Sequence, residues 1–192
     1  GVAGRQIRHS LSKSPEMIWI KNRGSAEFWA VGHKDLDGGN EPWTHYMVLS
    51  GTAAEDDANT VFNDTAPTTT AFSVGTDGSV NGNGSNYIAM LFASTDFSKI
   101  GSYTGNGSTQ TITTGFQPRF LLIKSTTSTV GWYLLDTTRG WGSGEDKYLT
   151  LNDNVAQSNF DFGAPTSTGF TLASGDGGYN GSNQKYIYYA HA

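Results

Sequence analysis

Laid against itself at an offset of about 100 residues, the chain meets its own pattern in the same order from one end to the other, and this duplication restricts the fold more than any other feature. Residues 15–21, PEMIWIK, match residues 118–124, PRFLLIK, each a Pro leading into an apolar stretch closed by Lys. Trp29 falls on Trp132. Residues 45–49, HYMVL, match residues 147–151, KYLTL, where Met47 and Leu49, like Leu149 and Leu151, share one face of a strand. Residues 66–74, APTTTAFSV, match residues 164–172, APTSTGFTL, with Phe72 and Val74, like Phe170 and Leu172, alternating with small polar residues as in a half-buried strand. Finally Asn81-Gly82 and Tyr87-Ile88 match Asn180-Gly181 and Tyr186-Ile187, a turn feeding an aromatic strand that closes each copy. The small slips of offset fall in loops, where insertions are tolerated.

Between the copies, residues 98–103 and 109–113 read as two strands around Gly105-Asn106-Gly107, since Asn-Gly supplies the positive φ of a tight hairpin. The second strand has a counterpart in residues 5–8, RQIR, but the first has none. The first copy is therefore expected to lack its N-terminal strand, and the chain, which begins at Gly1, to be a piece of a longer polypeptide.

Each copy supplies six or seven short strands at the turn spacing of an antiparallel sandwich, with apolar faces that two packed sheets would bury. The expectation is all-β, as tandem sandwiches over residues 1–94 and 95–192, with one larger merged sandwich as the alternative. Composition agrees: 25 Gly, 12% aromatic and only 15% charged residues suit short strands and tight turns rather than long helices. A net charge of −5 with scattered basic residues argues against a nucleic-acid partner, whose affinity rests on clustered Lys and Arg. Cysteine is absent, so neither a disulfide framework nor a thiolate metal site is available. The longest apolar run, residues 87–93, is too short to cross a bilayer, so membrane insertion is not expected.

The run FSKIGSYTGNGS, then TGFQPRFLLIKS, GWYLLDTTRG, KYLTLN, STGFTLAS and the closing KYIYYAHA, resembles a repeated lectin-like domain of the concanavalin A or laminin-G jelly-roll kind found in structural proteins of marine and cyanobacterial tailed phages. The earlier SPEMIWIKNRGS, FWAVGHK and TAPTTTAFSVGTDGSVNGNGSNYIAMLFAS look like the preceding copy of such an array. This resemblance implies a jelly-roll sandwich and a virion component, such as a tail fibre, tail appendage or head-surface fibre. Other virion proteins, further copies of the chain and host-surface glycans are its implied partners.

Flat aromatic rings in loops are the usual means of stacking on sugars or anchoring a neighbouring subunit. Trp43 and Trp141, in Gly-rich loops before equivalent strands, are therefore candidates together with Tyr179, and the plainer reading of the two Trp residues is that each plugs the end of its own sandwich. Trp29 and Trp132 are assigned to strands in the core. Asp35, Asp37 and Glu41, near His33 and His45, offer oxygen ligands that calcium would accept, but their spacing is not that of a calcium-hand loop, and a solvated turn is preferred. No cofactor is otherwise expected. Lys21 and Lys124 are read as running their stems along the sandwich rim. Glycoside hydrolysis needs two facing carboxylates, and Glu16, Glu27, Glu41, Glu55 and Glu145 include no pair two or four residues apart. No nucleophile elbow is present either. The expected function is non-catalytic, with a sandwich-fold hydrolase or a ligand-free spacer as alternatives.

Overall fold

A computed structural model describes residues 1–175 and 177–192 and shows an all-β protein built from antiparallel sheets. Two compact units comprise Gly1–Ser50 with Glu55–Ala93, and Gly51–Ala54 with Ser94–Ala192. The short segment Gly51–Ala54 thus groups with the second unit, away from the simple division at residue 94. Its anchor there is the Thr52 carbonyl, which accepts a hydrogen bond from Lys124 Nζ at 3.2 Å.

The first unit holds β1 (Arg5–Arg8), β2 (Met17–Asn22), β3 (Ala30–His33), β4 (His45–Val48), β5 (Asp56–Asp57), β6 (Ala71–Val74) and β7 (Tyr87–Phe92). One sheet has the order β5-β4-β3-β2-β7, and β1 pairs with β6 in a second. The second unit holds β8 (Ser98–Thr104), β9 (Gln110–Thr113), β10 (Phe120–Ser125), β11 (Tyr133–Asp136), β12 (Asp146–Thr150), β13 (Ser158–Phe160), β14 (Pro165–Thr166), β15 (Gly169–Leu172) and β16 (Lys185–His191). Its sheets run β13-β12-β11-β10-β16-β8 and β14-β15-β9. Among the described residues no helix is long and apolar enough to cross a membrane.

The repeat extends to individual strand registers. Ile7 sits opposite Phe72 on β1 and β6, and Ile112 opposite Phe170 on β9 and β15. Met17 faces both His33 and Phe92, as Phe120 faces both Asp136 and His191. His45 meets Asp57 where Lys147 meets Asn159. Because a strand alternates faces with period two, equal register places equivalent side chains on equivalent faces. In the first unit Ile18 and Ile20 of the larger sheet therefore meet Phe72 and Val74 of the smaller. In the second, Leu121 and Ile123 meet Phe170 and Leu172.

A shared polar device closes each unit. The Tyr87 hydroxyl accepts a hydrogen bond from Gly82 N–H and donates to Gly78 O, and the Tyr186 hydroxyl does the same with Gly181 N–H and Gly177 O. The strand-closing lysines also act alike, since Lys21 Nζ donates to Ser25 O at 3.0 Å and Lys124 Nζ to Ser128 O at 3.3 Å. Lys124, however, does not lie along a rim. It is fully buried, its ammonium held by the carbonyls of Ser125, Ser128 and Thr52. An apolar strand needs a donor where these carbonyls converge, and the Lys stem is long enough to supply it.

Burial lowers the Lys124 pKa from 10.5 to about 8. Between those values the unfolded chain binds more protons than the folded one, so stability rises with pH through that window and the gain is lost as pH falls through 8. Burial raises Tyr46, Tyr103 and Tyr189 above 10, an opposing effect that begins only at higher pH. Denaturant titrations between pH 7 and 9.5 should show the wild type gaining about 2 kcal/mol relative to Lys124→Met, which has no titrating group there.

Candidate functional site

Cross-strand partners share a face, and the register of β11, β12 and β13 puts Tyr133 opposite Thr150, Tyr148 opposite Leu135 and Phe160 opposite Asp146. Tyr133, Tyr148 and Phe160 therefore stand on the core-facing side of the six-stranded sheet, towards its β13 edge. Phe162 continues the alternation, and Tyr179 comes in from the loop before β16. The Phe162 ring lies 5.3 Å from Tyr133, 5.1 Å from Tyr148 and 4.7 Å from Tyr179, all tilted or edge-on. Such contacts rigidify the cluster beyond their area burial. Phe160 packs edge-on against Phe162 and Tyr179 yet remains 45% exposed.

These five rings line a cleft of about 140 Å³. Sites that enclose a small molecule usually span roughly 300–1,000 Å³, so this one suits a flat apolar face laid across it rather than an engulfed ligand. The buried Asp146 carboxylate fixes its shape, accepting Gly142 N–H through Oδ1 and Phe162 N–H through Oδ2, both at 2.8 Å. Burial raises the Asp146 pKa, with the backbone donors pulling the other way. In the first unit the corresponding strand positions carry Tyr46, stacked on Phe28 at 5.7 Å, while Ala58 stands where the second unit has Phe160. The cleft is thus a property of the second copy.

The aromatic residues singled out in the sequence take other places. Trp43, Trp141 and Tyr179 are 7%, 3% and 2% exposed. Trp43 packs edge-on against Phe62 and over Gly32, while Trp141 packs against Phe170 and donates its indole N–H to Gly163 O at 2.9 Å. Both Trp residues are largely buried at the ends of their own sandwiches, and Trp43 also borders a pocket of about 200 Å³ with Glu41, Pro42 and Asp64. Tyr179 donates its hydroxyl to Asp161 O or Ser174 O and forms the floor of the cleft. Trp132 is buried as expected, but Trp29 is half-buried, and each directly precedes a strand rather than lying within one. Their carbonyls accept matching hydrogen bonds from Leu49 and Leu151. Phe160 was not singled out, although the alternation of SNFDF over residues 158–162 marks it as sharing a face with Phe162.

The acidic candidates are not brought together. Asp37 Oδ2 accepts Glu41 N–H, Glu55 Oε2 accepts Asp37 N–H at 2.7 Å, and Asp35 pairs with Lys34 at 3.5 Å. Asp37 and Gly38 both have positive φ, so the segment is a tight turn held by its own side chains. Among the described residues, no three His, Asp or Glu side chains converge as metal ligands.

Burial separates structural from contact aromatics by mutation. Trp141→Ala should cost about 3–5 kcal/mol of unfolding free energy, and Phe160→Ala less than about 1.5 kcal/mol, as read from chemical denaturation.

One family profile, described as a domain of unknown function (DUF7483), matches residues 1–192. No curated protein and no solved structure matches the chain. Spanning both units and the cleft alike, that match means the chain belongs to the DUF7483 family.

Proposed function

We propose that the chain is a non-catalytic structural and adhesion module on the surface of a virus particle, in a tail fibre, appendage or head-surface fibre, that contacts host-surface glycans or neighbouring subunits. The observation that carries the contact role is the aromatic cleft, in which exposed Phe160 and half-buried Tyr133 and Tyr148 are braced from behind by buried Phe162 and Tyr179. Rings locked in this way lose little freedom when a partner lies across them, which is how a small contact becomes a useful one. The placement on a virion rests on the resemblance of the repeated segments to lectin-like domains of tailed-phage structural proteins. Other virion proteins and further copies of the chain are the expected neighbours, and an array of weak contacts gains strength by avidity.

A glycan array probed with the purified chain tests this reading, with Phe160→Ala as the paired variant. The expected outcome is binding without turnover, weakened about two- to tenfold by the substitution at one site, in line with the roughly 0.5–1.5 kcal/mol of an aromatic contact. Released sugar product would turn the assignment to a hydrolase. Silence across diverse glycans, together with monomers at all concentrations, would leave a passive spacer.

A further inference from the structure

In the second unit β8 lies along the outer side of β16 over seven residue pairs, from Ser98 opposite His191 to Thr104 opposite Lys185. This strand does more than cover an edge. Tyr103 turns inward, stacks on Tyr186 with ring centroids 5.0 Å apart, donates its hydroxyl to Tyr179 O and joins the core. In the first unit β7 takes the part of β16 and is the outermost strand of its sheet. Among the described residues no strand pairs with its outer side, and Ile88 and Met90 are 44% and 37% exposed. A strand edge of this kind carries N–H and C=O groups aimed at a partner strand.

Behind that edge lies a cavity of about 340 Å³, walled by residues that include Ile7, Phe72, Tyr87 and Ala89. Their counterparts in the second unit, Ile112, Phe170, Tyr186 and Tyr188, belong to or pack against the core cluster that contains Tyr103. The cavity thus occupies the position in the first unit that the Tyr103 ring fills in the second. Two independent features coincide: an open strand edge and, at the matching register, a hole large enough for an aromatic ring, with apolar walls of Ile7, Ile20 and Phe72 and a polar rim that includes Arg5, Ser85 and Asn86.

We infer that the outer edge of β7 receives an extended polypeptide segment from outside residues 1–192, antiparallel to β7, seated by an aromatic side chain opposite Tyr87. The occupant has the β8 pattern, in which the aromatic residue alternates with small or exposed ones. Its specificity differs from that of β8 at one place. Gly101 is obligatory in the second unit because a Cβ there would come within 2.6 Å of the Tyr188 hydroxyl, whereas Ala89 replaces Tyr188 in the first. The incoming strand therefore tolerates a larger side chain two residues before its aromatic one. Main-chain pairing supplies affinity, and the cavity sets register. This inference does not rest on the glycan reading, since β7 and the aromatic cleft lie in different units.

The probe is a fluorescein-labelled synthetic peptide, SKIGSYTGNG, copied from residues 98–107 and titrated into the intact chain. Saturable binding is expected, weakened at least tenfold when the peptide Tyr is replaced by Ala or when alternate peptide nitrogens are methylated. Ala89→Trp, which directs a ring into the cavity, should weaken it similarly while leaving the thermal transition cooperative. Amide hydrogen exchange locates the event: added peptide should slow exchange in residues 87–92 and leave residues 185–191 unchanged. No saturation at millimolar peptide, equal binding of a scrambled peptide, or protection confined to β16 would overturn the inference. So would a dimer of the chain that pairs β7 with β7 and is not dissociated by the peptide.

Discussion

Each unit depends on a tyrosine hydroxyl, buried in the second and half-buried in the first, bonded to both ends of a glycine turn. Tyr87 and Tyr186 stand at the start of the strand that closes the larger sheet, and their hydroxyls would lose water without recompense if the turn did not supply a donor and an acceptor. The turn must come close to do so. A Cβ on Gly181 would lie 2.8 Å from Gly177 Cα, so glycine is a steric requirement there, while one on Gly82 would crowd the Tyr87 hydroxyl at 3.0 Å. The preceding asparagine then ties the turn to the smaller sheet. Asn180 donates to Ser108 O and Ala173 O and accepts from Asn106 N–H and the Gln110 amide, while Asn81 donates to Val2 O and Gly75 O. Polar groups that are fully satisfied in this way fix one arrangement of the two sheets where apolar packing alone would allow several.

On that common frame the copies differ by the size of a few side chains. Tyr179 corresponds to Val80, Tyr188 to Ala89 and Phe160 to Ala58, and each exchange removes a ring from the first unit. The second unit consequently fills its interior and has aromatic surface left over for the cleft, with Phe170 meeting Tyr188 edge-on at 5.4 Å. The first unit keeps the cavity behind β7. Apolar interiors lose dispersion contacts wherever a gap persists. A hole of that size beside an open strand edge is thus a cost to the isolated unit that a partner's side chain would recover.

Much of this was legible in the sequence because strand registers follow from alternation and turn chemistry, both local. The equivalence of residues 5–8 and 109–113 needed only the repeat, but the hairpin expected of residues 98–103 and 109–113 does not form, because β8 pairs with β16 in the larger sheet and β9 with β15 in the smaller, so the Asn-Gly turn links two sheets. What the sequence did not disclose depends on what lies opposite. Whether Trp43 is exposed turns on Gly32, whose missing side chain makes room for the indole, since a Cβ there would come within 2.6 Å of the ring. Lys124 matches Lys21 by position, but its depth depends on the Thr52 carbonyl, 72 residues away. Phe160 is exposed because β13 is an edge strand and the smaller sheet does not extend over it, a fact of sheet width rather than of local pattern.

The two contact features obey different physics, and this bears on how such a module would work. A cleft of about 140 Å³ recognises by ring shape, so its ligands are set by side chains and it offers little to a polypeptide backbone. An open strand edge recognises backbone, which every protein segment carries, and becomes selective only through the pocket behind it. Exposed edges invite indiscriminate pairing unless something restricts them. Here the restriction is geometric: a strand that sets no aromatic ring opposite Tyr87 pairs with β7 but leaves the cavity unfilled. Under the proposed roles, assembly and surface attachment would vary independently, the first through residues around Tyr87 and Ala89, the second through residues around Phe160.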